Sequence, residues 1–441
     1  MHLPIQDPVF YAFAFVSALY VIHLGLYLVA ANFYDIYHHK RQRERRFRFA
    51  GPGAQASRKK IAKAPLVSVI IAAHNEEKVI VRSLNSLRRS TYPNIEFLVA
   101  DDASHDGTKQ LVHDYMLRHP DMNLHVYRMR RNVGKGAALN ALLRRHVHGE
   151  FVMTLDADSI VRPDTIQNSI AYFADPNIAG VAANVRIMDE PTIMGVLQKF
   201  EHMVGYRSKK MYSLLNCEFV VGGVASSYRM DVLRKVGFYD TDTQTEDIGL
   251  SIKIVSLGNH KHRMIYAADV VAMTEGVASF RALMRQRYRW KYGSFQNLVK
   301  YHRLIFNLSP RYSRSLTMYR MPMALLSELS LLVTPFAWGY LLYITFIQYN
   351  LALFIGAYIT VTLYILLTIW LDENLQPAGQ LRLSAYALIS YFIFYLMDLV
   401  QMVAIARCVY HSPALLTQKN VGSNWVSPKR VGGKVRHVYE A

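Results

Sequence analysis

The sequence predicts an α/β domain on a mostly parallel sheet, held among helical membrane segments and flanked by basic helices that lie along the lipid surface. Three observations predict it. Strand-like and helix-like runs alternate with short connections from Val67 to Leu155, as they do where helical crossovers join parallel strands. Four long blocks are almost free of charge. Val9–Ala31 and Leu351–Leu371 hold no Asp, Glu, Lys or Arg, Pro322–Ile347 holds only Glu328, and Ser384–Ala406 only Asp398. Each block is near the roughly 20 residues that a helix needs to cross a bilayer. Basic residues gather beside these blocks, at His38–Arg48, Arg58–Lys63, Arg281–Lys291, Arg311–Arg320 and Lys419–Arg436.

That placement explains the net charge of +19, from 51 Lys+Arg against 32 Asp+Glu. Basic flanks mark the cytoplasmic side of a membrane segment and favour anionic lipid. The charge is therefore read as lipid-facing, with no nucleic-acid partner. Val9–Ala31 has no basic stretch ahead of it and is long for a cleavable signal, so it reads as an anchor. With His38–Lys63 inside, the N-terminus is outside and residues 34–320 are cytoplasmic. Cys217 and Cys408 are too few for a structural zinc site and lie where disulfides are rare. The expected divisions are a membrane helix at 1–34, a basic linker at 35–65, the α/β domain at 66–278, interfacial helices at 279–320, a membrane region at 321–410 and a basic tail at 411–441.

Within the domain, Val67–Ala73 is a continuous apolar run suited to burial on both faces of a parallel sheet. Helix is expected at Val79–Arg89, strand at Ile95–Ala100, helix at Thr108–Arg118, strand at Leu124–Tyr127, helix at Ala137–Arg145 and strand at Phe151–Leu155. Ligands of such sheets bind beyond the carboxyl ends of the strands. Acidic residues fall there: Asp101 and Asp102 after the second strand, Asp156 and Asp158 after the fourth. From Thr192 to Leu215 apolar residues recur at helical spacing among Lys199, Arg207, Lys209 and Lys210. That basic, Met-rich pattern suits an interfacial helix better than a core one. Ser279–Tyr301 has the same character, and Ser309–Arg320 is a third short basic segment.

Asp156-Ala-Asp158 can hold a divalent ion, Mg2+ or Mn2+, on hard carboxylate oxygens. Such an ion neutralises a diphosphate leaving group. The stretch from Asp101 to Asp106 either turns a carboxylate toward a nucleotide or caps the helix at Thr108 through Ser104 or Asp106. Asn132-Val-Gly-Lys135-Gly136 brings a turn and a lysine near phosphates but lacks the spacing of an ATPase loop. Thr245-Glu246-Asp247 is either a helix cap or the general base that takes a proton from an acceptor hydroxyl. In Gln286-Arg287-Tyr288-Arg289-Trp290, helical spacing puts Gln286, Arg289 and Trp290 on one face. That face could hold an anion on its guanidinium and a sugar ring on its indole. The alternative is a basic interfacial helix.

Taken together, Ala73-His-Asn-Glu-Glu77, Asp101-Asp102-Ala-Ser, Asp156-Ala-Asp158, Gly222-Gly-Val-Ala-Ser-Ser-Tyr-Arg229, Thr245-Glu-Asp247 and Gln286-Arg-Tyr-Arg-Trp290 resemble the processive family 2 glycosyltransferases. The ordered set is specific, whereas no single motif is. The resemblance implies a GT-A-type α/β catalytic domain in the cytoplasm, with interfacial amphipathic helices and α-helical transmembrane segments. It implies inverting, processive transfer at a cell membrane and a channel for the polymer. By the same resemblance Glu76 and Asp102 contact the nucleoside, and Asp158, helped by Asp156, holds the metal. Asp247 is the base with Glu246 beside it, Lys135 and Arg289 serve the diphosphate, and Gln286 and Trp290 meet the acceptor sugar. Trp425-Val-Ser-Pro-Lys-Arg430 and the Gly222–Arg229 stretch look most like the poly-β-1,6-N-acetylglucosamine synthases. There Trp425 and Arg430 would belong to a tail that closes over the nucleotide. The expected partners are a UDP-sugar donor (UDP-N-acetylglucosamine), a growing polysaccharide, membrane lipid and a small membrane subunit.

The chain departs from that group in having one N-terminal span rather than two, and in His74, where an aromatic or small residue is common. It shows no cyclic-dinucleotide-binding domain, which argues against cellulose. Hyaluronan, chitin-like or other β-glycan synthesis is the nearest rival. A single-transfer lipid glycosyltransferase often lacks Gln-x-x-Arg-Trp, and a transporter with a degenerate nucleotide domain would not keep every acidic position filled. Three later spans would leave the basic tail outside. The tail is expected inside, with Ser384–Ala406 not fully crossing.

Overall fold

The computed structural model describes residues 8–50, 64–188 and 192–410, and the backbone alone for 38–50. Helix α1 (Pro8–Ala50) leads the chain in, and its first 30 residues, Pro8–Tyr37, are apolar enough to cross a membrane. It continues to Ala50, well into the stretch expected to be a linker. The domain then runs β1 (Val67–Ala73), α2 (Ile80–Arg88), β2 (Ile95–Asp101), α3 (Thr108–Arg118), β3 (Leu124–Arg128), α4 (Lys135–Arg145), β4 (Phe151–Asp156), β5 (Ile160–Val161), α5 (Thr165–Tyr172) and β6 (Ile178–Ile187). It continues with α6 (Ile193–Leu214), β7 (Ser226–Arg229), α7 (Met230–Val236), α8 (Glu246–Val255), β8 (Arg263–Thr274) and α9 (Phe280–Lys300). Last come α10 (Met321–Ser330), α11 (Thr334–Phe346), α12 (Leu351–Trp370) and α13 (Pro377–Tyr410).

The eight strands form one sheet in the order β3-β2-β1-β4-β7-β6-β8-β5. The first four are parallel, as the alternation of strand and helix predicts. The other half corrects the expectation of a mostly parallel sheet: β7 is antiparallel to both β4 and β6, and β5 is antiparallel to β8, while β6 and β8 are parallel. The polar four-residue β7, Ser-Ser-Tyr-Arg, carries no hydrophobic signature. It lies between β4 and β6 with Ser226, Ser227 and Tyr228 buried.

Strand β1 is buried along its whole length. Side chains alternate across a strand, so Ile70 and Ala72 join the layer of Ala138, Leu139, Leu142 and Leu143 on α4. Val67, Val69, Ile71 and Ala73 face the layer of Ile80, Leu84 and Leu87 on α2 and Val112 and Tyr115 on α3. Two apolar layers thus pin the central strands, and the carboxyl end of each is fixed with them.

Helices α6 and α9 lie between this domain and the apolar helices α1, α12 and α13. Thr192 caps α6 through the amide of Gly195 at 3.0 Å, and Ser279 caps α9 through that of Ala282 at 3.3 Å. Val196 and Phe200 of α6 share a cluster with Leu24 of α1, Tyr364, Ile365 and Ile369 of α12, and Leu383 and Ala387 of α13. Among the described residues three helices are long and apolar enough to cross a membrane, and a bent pair makes a fourth candidate. The bend, 62°, falls between Ser315–Ser330 and Thr334–Phe346. Ser384–Ala406, expected as the incomplete span, lies within the uninterrupted α13.

Candidate active site

Parallel register places Ala73 opposite Asp101 and Ala72 opposite Asp156, so β1, β2 and β4 end at one level. The loops leaving β1 and β2 each turn at a non-glycine residue in the left-handed region, Asn75 at φ 57° and Ala103 at φ 55°. Side chains disfavour that region, and its use here reflects loops held by their surroundings. His74 supplies part of the hold. Its Nδ1 lies 2.7 Å from the Asp102 carbonyl oxygen and its Nε2 3.1 Å from the Asn132 side-chain nitrogen. A carbonyl only accepts, so Nδ1 carries the proton and Nε2 accepts from Asn132.

Asp102 is fully buried, and its two oxygens accept the amides of Val133 at 2.8 Å and Gly134 at 2.9 Å. Burial pushes its pKa up, and those two amides draw it partly back. Gly134 sits at φ 88°, open to glycine, immediately before α4 begins at Lys135. Asp102 therefore holds the loop that aims Lys135. The capping reading of the neighbouring stretch also has support: Asp106 accepts the Thr108 amide at 3.0 Å.

Lys135 is the centre of the site. Its Nζ lies 2.6 Å from Asp156 Oδ1 and 3.5 Å from Glu246 Oε1. Burial opposes the charge on Lys135, but Asp156, Glu246 and Asp247 together hold its pKa above the ordinary lysine range. The floor is Gly223. A Cβ there would stand 2.7 Å from Lys135 Nζ and 3.7 Å from both Asp156 Oδ1 and Asp247 Oδ2. Two carboxylates from different elements thus face one small space that glycine leaves open and a cation already occupies.

In this cradle Asp156 and Asp247 offer the hard carboxylate oxygens that a divalent ion takes, and such an ion would have to share Asp156 with Lys135 or displace it. Among the described residues no three His, Cys, Asp or Glu side chains form a cage. Mg2+-type ions do not need one, since they take one or two carboxylates and complete their shell with phosphates and water. Asp158 is set deeper, 4% exposed, with Ser159 donating to its Oδ1 at 3.1 Å and Thr274 to its Oδ2 at 3.3 Å. Glu76 is also buried, at 1%.

Asp247 opens α8. Its Oδ1 accepts the Ile248 amide at 2.8 Å, leaving Oδ2 toward Gly222 and Gly223. Burial first, then the neighbouring Glu246, pushes its pKa up to about 6, with Lys135 pulling the other way. A carboxylate poised there can take a proton near neutral pH. Thr245, the N-cap position, makes no side-chain capping bond.

Helix α9 docks directly on that corner. Asn297 Nδ2 donates to the Thr245 carbonyl at 3.1 Å, and Gln296 Oε1 accepts the Gln244 amide at 3.0 Å. Gln286, Trp290, Gly293 and Asn297 follow one another at helical spacings of four, three and four, on one stripe. The stripe that meets the Thr245 corner is thus the one that carries Gln286 and Trp290. Arg289 is exposed on the same helix. Trp425 and Arg430 lie outside the described residues.

The structure therefore brings Lys135, Asp156, Glu246 and Asp247 together, and uses Asp102 to hold a loop. Sequence reasoning missed Gly293, Asn297 and the buried Arg287. A glycine inside an unbroken helix, which costs about 1 kcal/mol against alanine, was the available signal of close packing at Gly293.

Residues 68–237 match the family model described as Glycosyl transferase family 2. Relatives include a poly-beta-1,6-N-acetyl-D-glucosamine synthase of Staphylococcus epidermidis, 28% identical over 237 residues, which cover 53% of this chain and 56% of that protein. The synthase of the same name from Staphylococcus aureus aligns to the same extent. The chain thus spans about half the length of the curated relatives it matches. Among solved structures, a mannosyltransferase from Pyrobaculum calidifontis in complex with GDP-Man and Mn2+ is similar, with a TM-score of 0.53 and 21% identity, covering 87% of this chain and 99% of that one. At that identity the likeness shows the fold alone. The family 2 match thus covers the α/β domain from β1 to the end of α7, and with it the strand-end carboxylates and Lys135.

Proposed function

We propose that this protein is a membrane-bound, inverting and processive glycosyltransferase that joins N-acetylglucosamine from UDP-N-acetylglucosamine into a β-linked polymer, poly-β-1,6-N-acetylglucosamine, and exports it. The observation that carries the reading is the cluster of Asp156, Lys135, Glu246 and Asp247 around Gly223, beyond the carboxyl ends of the parallel strands. Similarity to the staphylococcal synthases supports the sugar and the linkage. The catalytic domain faces the cytoplasm, where nucleotide sugars are made.

Lys135 lies where a diphosphate would approach and supplies positive charge to it, with Arg289 as a second, exposed cation. A divalent ion held by Asp156, with Asp158 two residues on, would neutralise charge on the departing diphosphate. Asp247 takes the proton of the acceptor hydroxyl as it attacks the anomeric carbon. Trp290, half-buried on the docked face of α9, offers an indole for the acceptor ring to stack on. Glu76 and Asp102 stand at the nucleoside end. Membrane lipid surrounds the helices, and a small membrane subunit remains a proposed partner.

The direct test is to offer membrane vesicles a panel of UDP-sugars and to analyse the linkage of the product. Product only from UDP-glucuronate together with UDP-N-acetylglucosamine would replace this reading with hyaluronan synthesis. Two variants probe the parts. Asp156→Ala is expected to abolish turnover and the metal-dependent part of UDP binding, measured by calorimetry with and without Mn2+. Unchanged metal dependence would remove Asp156 from the ion site. Trp290→Leu keeps apolar bulk but loses the flat face, so polymer yield should fall much more than UDP affinity. Equal loss of both would make Trp290 a packing residue.

A further inference from the structure

Arg287 is among the largest side chains with almost no exposure, at 1%. It occupies the second position of the Gln-Arg-Tyr-Arg-Trp stretch, where the motif reading gave it no role. Three of its surroundings are specific. Its guanidinium pairs with Glu201 on α6. Its Nη1 donates to Gln286 Oε1 at 3.1 Å. Its Cζ stands 4.2 Å from the centroid of the Trp290 ring.

From these contacts we infer that Arg287, anchored by Glu201, is a positioning residue that sets both acceptor-facing side chains of α9. The inference rests on the proposed role of Trp290 as acceptor platform. The physical argument has two parts. A guanidinium has donors only, so the Gln286 amide must turn its oxygen inward to Arg287. Its NH2 group is then presented outward, as a donor for a sugar oxygen. A guanidinium over an indole also fixes the ring plane and covers one face. The opposite face is left as the one a sugar can use. Glu201 fixes the guanidinium in turn, and it comes from α6, a different helix. The orientation of both acceptor contacts is thereby tied to the packing of α6 against α9. Lysine could keep the ion pair with Glu201 but cannot lie flat on the ring while donating to Gln286.

The test uses full-length protein in nanodiscs, labelled with 5-fluorotryptophan. The chain has four tryptophans, and the Trp290 fluorine resonance is assigned by its loss in Trp290→Leu. Arg287→Lys should fold, bind UDP within about twofold of wild type, shift and broaden the Trp290 resonance, and lower polymer yield roughly tenfold or more. Misplacement of a substrate-positioning group by about 1 Å can cost on the order of 100-fold. Arg287→Met should do the same more strongly, and Glu201→Gln should reproduce the resonance shift. An unmoved Trp290 resonance or a normal polymer yield in Arg287→Lys, the variant that keeps the charge, overturns the inference. Failure of the platform reading looks different: Trp290→Leu would make normal polymer while Arg287→Lys still moved the resonance.

Discussion

Asp247→Asn is expected to leave the protein folded, inserted and able to bind UDP with near wild-type affinity, while making no detectable polymer. Asparagine can still accept the Ile248 amide that Asp247 Oδ1 accepts at 2.8 Å, and it serves helix N-termini about as well as aspartate. It cannot take a proton. A positioned general base contributes roughly 10²–10⁴-fold, and that is the loss to be measured as polymer formed per unit of bound donor. Yield within a few-fold of wild type would assign Asp247 to the helix end and move the base to Glu246 or elsewhere. The wild-type pH profile gives a second check. Burial and Glu246 raise the Asp247 pKa to about 6, so activity should fall as pH drops through about 6 and the base becomes protonated. Glu246→Gln removes a negative neighbour, and the acid limb should then move to lower pH.

Gly293→Ala should uncouple acceptor chemistry from donor binding by a different route. A Cβ at Gly293 would stand 2.4 Å from Thr245 Oγ1, 2.6 Å from its Cγ2 and 2.7 Å from its backbone nitrogen. Thr245 begins the Glu246-Asp247 corner, so its backbone cannot yield without moving the proposed base. Helix α9 must shift instead, and Trp290 lies one turn away on the same stripe. A displacement of about 1 Å at a positioning group is expected to lower polymer formation on the order of 100-fold. UDP affinity, which the proposed function assigns mainly to the strand-end residues Asp102, Lys135 and Asp156, should fall far less, by no more than the share of Arg289 on α9. Polymer yield close to wild type would mean that the crossing of α8 and α9 relaxes freely. Simultaneous loss of UDP binding would place the damage in the domain as a whole.

The parallel half of the domain was legible because its strands are buried on both faces and its helices are amphipathic. Thr108–Arg118 agrees residue for residue, and Val67–Ala73 does too. The second half was less legible for physical reasons. Strand β7 is polar and short, and β8 gains its place by pairing with β6, a contact between residues far apart in sequence. At the site, the strand-end carboxylates could be read from the rule that ligands bind at the carboxyl ends of strands. The convergence of Asp247 with Asp156 could not, because it depends on where Gly223 lets three chain segments meet. The buried setting of Arg287 was hidden in the same way. An arginine in a basic stretch looks solvent-facing until Glu201, 86 residues earlier, is seen beside it.

The loop from Asn132 to Gly136 touches the site at two points. At one end Asp102 takes the amides of Val133 and Gly134, and at the other Lys135 meets Asp156. A ligand that shifted this loop at its Asp102 end would change the free energy of placing a cation at the Lys135 end. By reciprocity, a cation in the cradle changes that ligand's affinity by the same factor. The nucleoside and the charge of its phosphates would then be sensed cooperatively. The nucleoside alone should bind more weakly than its share of the contacts suggests, and the strength of that coupling can be read from a cycle of nucleoside and cation titrations.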